Sequence, residues 1–105
     1  MDKDCIFCKI INGDFNTEFV YETDTTVVFK DINPKAPIHL LVCPKEHIPS
    51  LNELEDKNLM ADLLQTVKDV TAKIGLKSYR TQINTGKDAG QEVFHLHIHI
   101  LGKGK

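Results

Sequence analysis

The sequence predicts an α+β fold: about five antiparallel strands forming a half-barrel sheet, with one long helix and a short N-terminal helix. Three observations carry that prediction. Short runs of β-branched and aromatic residues recur along the chain between turn residues. Only one segment, from about Asn52 to Ile74, keeps helical apolar spacing over a substantial length. A single helical crossover cannot build a doubly wound parallel sheet, whereas short strands can run antiparallel through hairpins.

Taken in order, Cys5 to Ile11 is short and apolar and stops at Asn12-Gly13, which predicts one or two helical turns. Glu18 to Thr23 and Thr26 to Ile32 flank Asp24-Thr25 and read as a hairpin. Asn33-Pro34-Lys35-Ala36-Pro37 is a stiff loop, because its prolines fix φ and remove donors. His39 to Cys43 is a strand stopped by Pro44. In the long helix Met60, Leu63, Leu64, Val67, Val70 and Ile74 form the apolar stripe, with Asp62, Lys68, Asp69 and Lys73 left for water. Glu53, Glu55 and Asp56 suit its positive N-terminus, and Gly75 suits its end. Tyr79 to Asn84 is a strand, Thr85 to Glu92 a glycine-containing loop, and Val93 to Leu101 the final strand before the polar tail Gly102 to Lys105.

A chain of 105 residues with 41% apolar residues supports one core, so residues 1–105 read as a single domain. So small a domain exposes much of its surface, which favours dimerisation, here through the long helix and a sheet edge. A net charge of −2 gives no basis for binding nucleic acid or an anionic membrane. Met1-Asp2-Lys3-Asp4 is charged with no signal-peptide stretch behind it, and no run approaches a membrane span. A cytoplasmic location is expected, with Cys5, Cys8 and Cys43 as thiols or metal ligands rather than a disulfide framework.

The most informative segment is His95-Leu96-His97-Ile98-His99-Ile100-Leu101. Strand side chains alternate between faces, so three imidazoles share one side while Leu96, Ile98 and Ile100 face the core. Same-face neighbours lie about 7 Å apart, and the outer two about 13 Å, so one zinc ion cannot easily collect all three. The row is suited to divided duties. An imidazole can attack phosphorus or carbon and can move protons near neutral pH. No Gly-x-Ser-x-Gly motif and no Walker A loop offers a competing centre. Cys43, mid-strand before Pro44, reads as a small core residue rather than a nucleophile.

The loop from Asn84 to Glu92 leads straight into these histidines. Its glycines let backbone N–H groups approach an anion, and Asn84 adds a side-chain donor. Beside the histidine row this reads as a phosphate cradle. Cys5-x-x-Cys8 sets two thiols on one face of a short helix, and taken alone it is redox-active, metal-binding or incidental.

His-φ-His-φ-His-φ-φ, where φ is apolar, resembles the motif that names the histidine triad (HIT) superfamily. Gly90-Gln91-Glu92-Val93-Phe94 resembles that family's lead-in, Phe29 to His39 its strand–proline-loop–strand segment, and Pro44-Lys45-Glu46-His47-Ile48 the stretch after it. The likeness runs from about Cys5 to Gly102, closest to the bacterial-type nucleotide-binding branch.

The resemblance implies a HIT-like, homodimeric nucleotidyl hydrolase or transferase acting on purine nucleotides, with nucleoside 5′-phosphoramidates as typical substrates. Alternatives are a dinucleoside polyphosphate hydrolase, a zinc hydrolase using the triad, or a nucleotide-binding scaffold with weak catalysis. By position, His97 is the expected nucleophile, His99 the phosphate contact and proton carrier, and His39 the support of His97. Asn84, Gly90 and Glu92 are expected to hold the phosphate and Asp31 the ribose. Ile6, Phe7, Ile10, Phe29 and Ile32 are expected to enclose the base. The position of Glu92 is serine in some relatives, and an ionised glutamate cannot donate a hydrogen bond as serine does. The chain also stops short of the longer C-terminal tail of some members. Likeness to bacterial-type relatives further implies a structural zinc ion on Cys5, Cys8, His47 and His95, with no cofactor in the chemistry itself.

Overall fold

In a computed structural model that describes residues 4–104, the chain forms one five-stranded antiparallel sheet with a short and a long helix. Met1 to Lys3 of the charged opening and Lys105 of the polar tail lie outside the described residues. The elements run α1 (Ile6–Ile11), β1 (Tyr21–Glu22), β2 (Thr26–Lys30), β3 (Ile38–Pro44), α2 (Lys57–Ile74), β4 (Arg80–Gln82) and β5 (Ile98–Gly102). Their order across the sheet is β1-β2-β3-β5-β4, so β5 lies between β3 and β4. No helix among the described residues is long and apolar enough to cross a membrane.

Asp56 decides where the long helix starts. Its carboxylate accepts hydrogen bonds from the amides of Asn58 and Leu59 at 2.9 and 3.2 Å, the geometry of an N-cap. The residues before it, expected as helix from Asn52, instead make a separate 3-10 turn over Leu51–Glu53, capped by Ser50. Gly75 ends α2 at φ 73°, a left-handed conformation that costs a residue with a Cβ about 1–2 kcal/mol.

The buried stripe of α2 is Leu59, Leu63, Thr66, Val67, Val70 and Thr71. Met60 and Leu64, expected inside, are 38% and 61% exposed, because they sit about 100° round the helix from Leu59 and Leu63. The inner stripe packs on Val28, Leu40, Val42, Leu96, Ile98 and Ile100. Each fully buried Val, Leu or Ile in this layer contributes roughly 1.5–3 kcal/mol. Thr66 donates to the Asp62 carbonyl and therefore accepts from Thr26, which ties β2 to α2 by a buried hydroxyl pair at 2.7 Å. On the opposite face Val27, Phe29, Leu41 and Cys43 pack under Cys5, Phe7 and Cys8 of α1.

The final strand is shorter than expected, starting at Ile98 rather than Val93. Its ladder with β3 stops at the pair Val42↔Ile98. Pro44 has no N–H to continue it, and its carbonyl is bonded by the His95 ring at 2.8 Å. Leu96 donates instead to the Ile48 carbonyl at 2.7 Å. The in-out alternation survives all the same, with Leu96, Ile98 and Ile100 in the α2 core and the imidazoles on the other side.

Candidate active site and metal cluster

Register builds the site in rows. Phe29, Leu41, His99 and Gln82 stand side by side across four strands, and one pleat further on come His39, Leu101 and Arg80. Asp31 joins the second row, its amide donating to the His39 carbonyl at 3.0 Å. The face therefore changes character from β2, which is apolar under α1, through the histidines of β3 and β5, to the polar side chains of β4. A cavity of about 660 Å³ lies over it. Ile6, Phe7, Ile10, Phe29, Asp31, Ile32, Asn84, Gly90, Glu92, His97 and His99 all line that cavity, as does His39. Its apolar end is lined by Ile6, Phe7, Ile10 and Phe29, and Ile32 is 91% exposed at the lip.

His97 is held in one tautomer. Its Nδ1 hydrogen goes to the His95 carbonyl at 2.7 Å, because a carbonyl can only accept, and this leaves Nε2 with the free lone pair. Phe7 stacks edge-on against the ring at 5.0 Å between centroids. Burial pushes the His97 pKa below the ordinary 6.5, so the ring is neutral at physiological pH.

His99 belongs to a directed chain. The Lys35 amide donates to His39 Nδ1 at 2.9 Å, so the His39 hydrogen sits on Nε2. That atom lies 2.9 Å from His99 Nδ1 and 3.5 Å from Asp31 Oδ2. His99 Nδ1 accepts, and the hydrogen of neutral His99 is left on Nε2. Burial first, then the neighbouring His97 and His39, lowers the His99 pKa to about 4. His39 thus hydrogen-bonds to His99 rather than to His97, its expected partner.

Among the described residues two clusters have ligand atoms close enough for a metal, and their tautomers separate them. In Asp31, His39 and His99 the Lys35 amide keeps a hydrogen on the His39 nitrogen that a metal would need, so this trio is a hydrogen-bonded chain rather than a ready ligand set. In Cys5, Cys8, His47 and His95 the arrangement is reversed. His95 Nε2 donates to the Pro44 carbonyl, which frees Nδ1 toward Cys5 Sγ at 3.4 Å and Cys8 Sγ at 3.5 Å. Cys8 Sγ lies 3.2 Å from His47 Nδ1. Tetrahedral zinc sets its sulfur and nitrogen ligands about 3.5 Å apart, so the donor set fits that ion. Burial raises the Cys5 thiol, which keeps its proton until a cation replaces it. Burial raises Cys43 well above the usual thiol range, as suits a core residue.

The loop before β5 is tied by a residue that sequence reasoning missed. Gln91 is buried, accepts from the Gly86 amide at 2.8 Å, and donates to the carbonyls of Pro49 and Val93 at 2.7 and 3.0 Å. Asn84 donates to the Ala89 carbonyl at 2.8 Å and accepts from Gln82 at 3.1 Å, so one of its two N–H hydrogens remains for a ligand. Gly90 turns at φ 90°, where a Cβ would meet Asn84 Nδ2 at 3.3 Å. Thr17, Arg80 and Gln82 also line the cavity unforeseen. The period-two spacing of residues 80, 82 and 84 was the available signal for the last two.

This sheet face and its rows of imidazoles define a histidine-lined pocket. The family model described as scavenger mRNA decapping enzyme C-term binding matches residues 4–105. An uncharacterized HIT-like protein of Synechococcus elongatus is 49% identical over 105 residues, covering 97% of this chain and 92% of that protein. A histidine triad protein from Clostridium difficile superposes with a TM-score of 0.92 at 41% identity, covering 100% of this chain and 95% of that one. A HIT family hydrolase from Legionella pneumophila gives 0.89 at 40% identity, covering 94% and 92%. The chain belongs to the histidine triad (HIT) superfamily.

Proposed function

We propose that this protein hydrolyses purine nucleoside 5′-phosphoramidates, releasing AMP or GMP through a nucleotidyl group held covalently on His97. The observation that carries the reading is the His97 tautomer, which leaves Nε2 unprotonated on the cavity wall. The apolar end of the cavity accepts the base and Asp31 the ribose hydroxyls. Asn84, Gly90 and the backbone near Glu92 meet the phosphate. His97 Nε2 attacks phosphorus as the P–N bond breaks, and the departing nitrogen takes a proton from a His99 ring that the negative charge of the bound phosphate has protonated. His99 is left neutral, with its Nδ1 still facing His39 Nε2. Water then attacks phosphorus, returns a proton to His99 and frees His97. No metal takes part in these steps.

A zinc ion on Cys5, Cys8, His47 and His95 would be structural, its four protein ligands leaving no open position and clipping α1 to the sheet. We further propose a single-domain chain working in the cytoplasm as a homodimer. Outward-facing Met60 and Leu64 on α2 and the unpaired edge of β4 support the last point. Incubation with adenosine and guanosine phosphoramidates, alongside dinucleoside polyphosphates, tests the activity. Nucleoside monophosphate should appear from the phosphoramidates with wild type and not with His97→Ala, and equal turnover by both proteins rejects the reading. Light scattering at micromolar concentration tests the dimer.

A further inference from the structure

At its β4 end the cavity is lined by Arg80, and Glu92 of the loop before β5 lines it too; no other described residue neutralises either charge. Arg80 and Glu92 line the same cavity, yet neither side chain has an ion pair or hydrogen bond among the described residues. Both stand on fixed backbone. Arg80 is paired in register with Leu101, and Glu92 follows Gln91, whose three buried hydrogen bonds anchor the loop.

Sheet order gives this end its role. The base-sized apolar wall lies on β2 and α1, the imidazoles on β3 and β5, and Arg80 with Gln82 on β4. A nucleotide with its base at the apolar wall and its phosphorus at His97 has its leaving group over β4. A leaving group covering both charges without complementing them would desolvate each one unpaired, which is unfavourable.

We propose that Arg80 and Glu92 form a leaving-group subsite selecting amines that carry a carboxylate. Arg80 takes the carboxylate through its planar fork of donors, and Glu92 accepts an N–H of the nitrogen leaving phosphorus. Glu92 accepts a hydrogen bond only; the proton that completes the amine comes from His99 as the P–N bond breaks. A polyphosphate leaving group meets the same glutamate as a like charge and is disfavoured. This inference rests on the phosphoramidate reading above.

The test compares adenosine 5′-phosphoramidate with its N-glycine derivative and the methyl ester of that derivative. Wild type should favour the free carboxylate over the ester by about tenfold or more in kcat/KM, the scale of one charge-assisted contact. Arg80→Gln should bring that ratio close to one, and Arg80→Lys should keep part of it. Glu92→Gln should slow both glycine substrates while leaving their ratio in place. The wild-type ratio needs no variant, so a misfolded mutant does not protect the proposal. Turnover of the unsubstituted phosphoramidate with a ratio near one overturns this subsite alone. Turnover of none of the three overturns the proposed activity and the subsite with it.

Discussion

His97 donates its Nδ1 hydrogen to the carbonyl oxygen of His95 at 2.7 Å, so the proposed nucleophile takes its tautomer from a residue of the thiol cluster. The His95 ring is itself fixed at both ends, by the Pro44 carbonyl and by the two thiols. The cluster and His97 are therefore coupled through one peptide unit. Phe7, carried on α1 between the two cysteines, adds a second link by packing on His97.

If the proposed zinc is bound at the cluster, removing it should loosen both links. Protein purified without chelator should hold one zinc per chain, and stripping it should lower the melting temperature by about 10 °C or more, given a site worth a few kcal/mol. Cys8→Ser should show the same low midpoint before any chelator is added. Calorimetry with metal analysis checks this, and an unchanged midpoint after complete stripping counts against a structural zinc.

The Lys35–His39–His99 chain makes a different prediction. His39→Ala removes the partner of His99 Nδ1 without touching the nucleophile. It should lower kcat about 10²-fold and change KM little, as loss of a proton-transfer assistant does. Steady-state kinetics on adenosine phosphoramidate decide it, and a large rise in KM at constant kcat contradicts the relay.

In the ligand-free protein His99 should stay neutral far below the ordinary histidine range, since its pKa is lowered to about 4 by burial and its neighbours. The unfolded chain takes that proton near pH 6.5. The stability this group contributes is thus complete above pH 6.5, is lost as pH falls from 6.5 toward 4, and falls no further below that. Proton NMR of the His99 ring should give a midpoint near 4, and a midpoint near 6.5 refutes the buried, crowded environment.

Gly90 tests the loop. An alanine there is strained at φ 90° and presses on the amide of Asn84. Gly90→Ala should destabilise the protein by about 1–2 kcal/mol in urea unfolding and raise KM. The loss of stability follows from backbone strain alone, whereas an unchanged KM contradicts a part for the loop in binding phosphate.

Much of this was legible in the residues. Period-two alternation from His95 to Leu101 fixed which rings share a side, and the cavity gathers the residues expected around a nucleotide. What escaped depended on contacts distant in sequence. The partner of His39 is decided by the register of β3 on β5 and by the Lys35 amide, neither visible in spacing. The early end of the ladder follows from Pro44 lying two pairs beyond Ile98, a tertiary fact. Leu59 rather than Met60 faces inward because the Asp56 cap and the sheet together set the helix rotation. Gln91 looked like an ordinary loop residue until its three partners came together.

The most direct test of the central claim is rapid quenching of the enzyme with an adenosine phosphoramidate in excess, followed by peptide mass spectrometry at alkaline pH. The account predicts an adenylyl group on the peptide containing residues 95–99, mapped to His97 and absent from His97→Ala. An enzyme that turns over with no adduct in the millisecond range, or with the adduct on another residue, contradicts it.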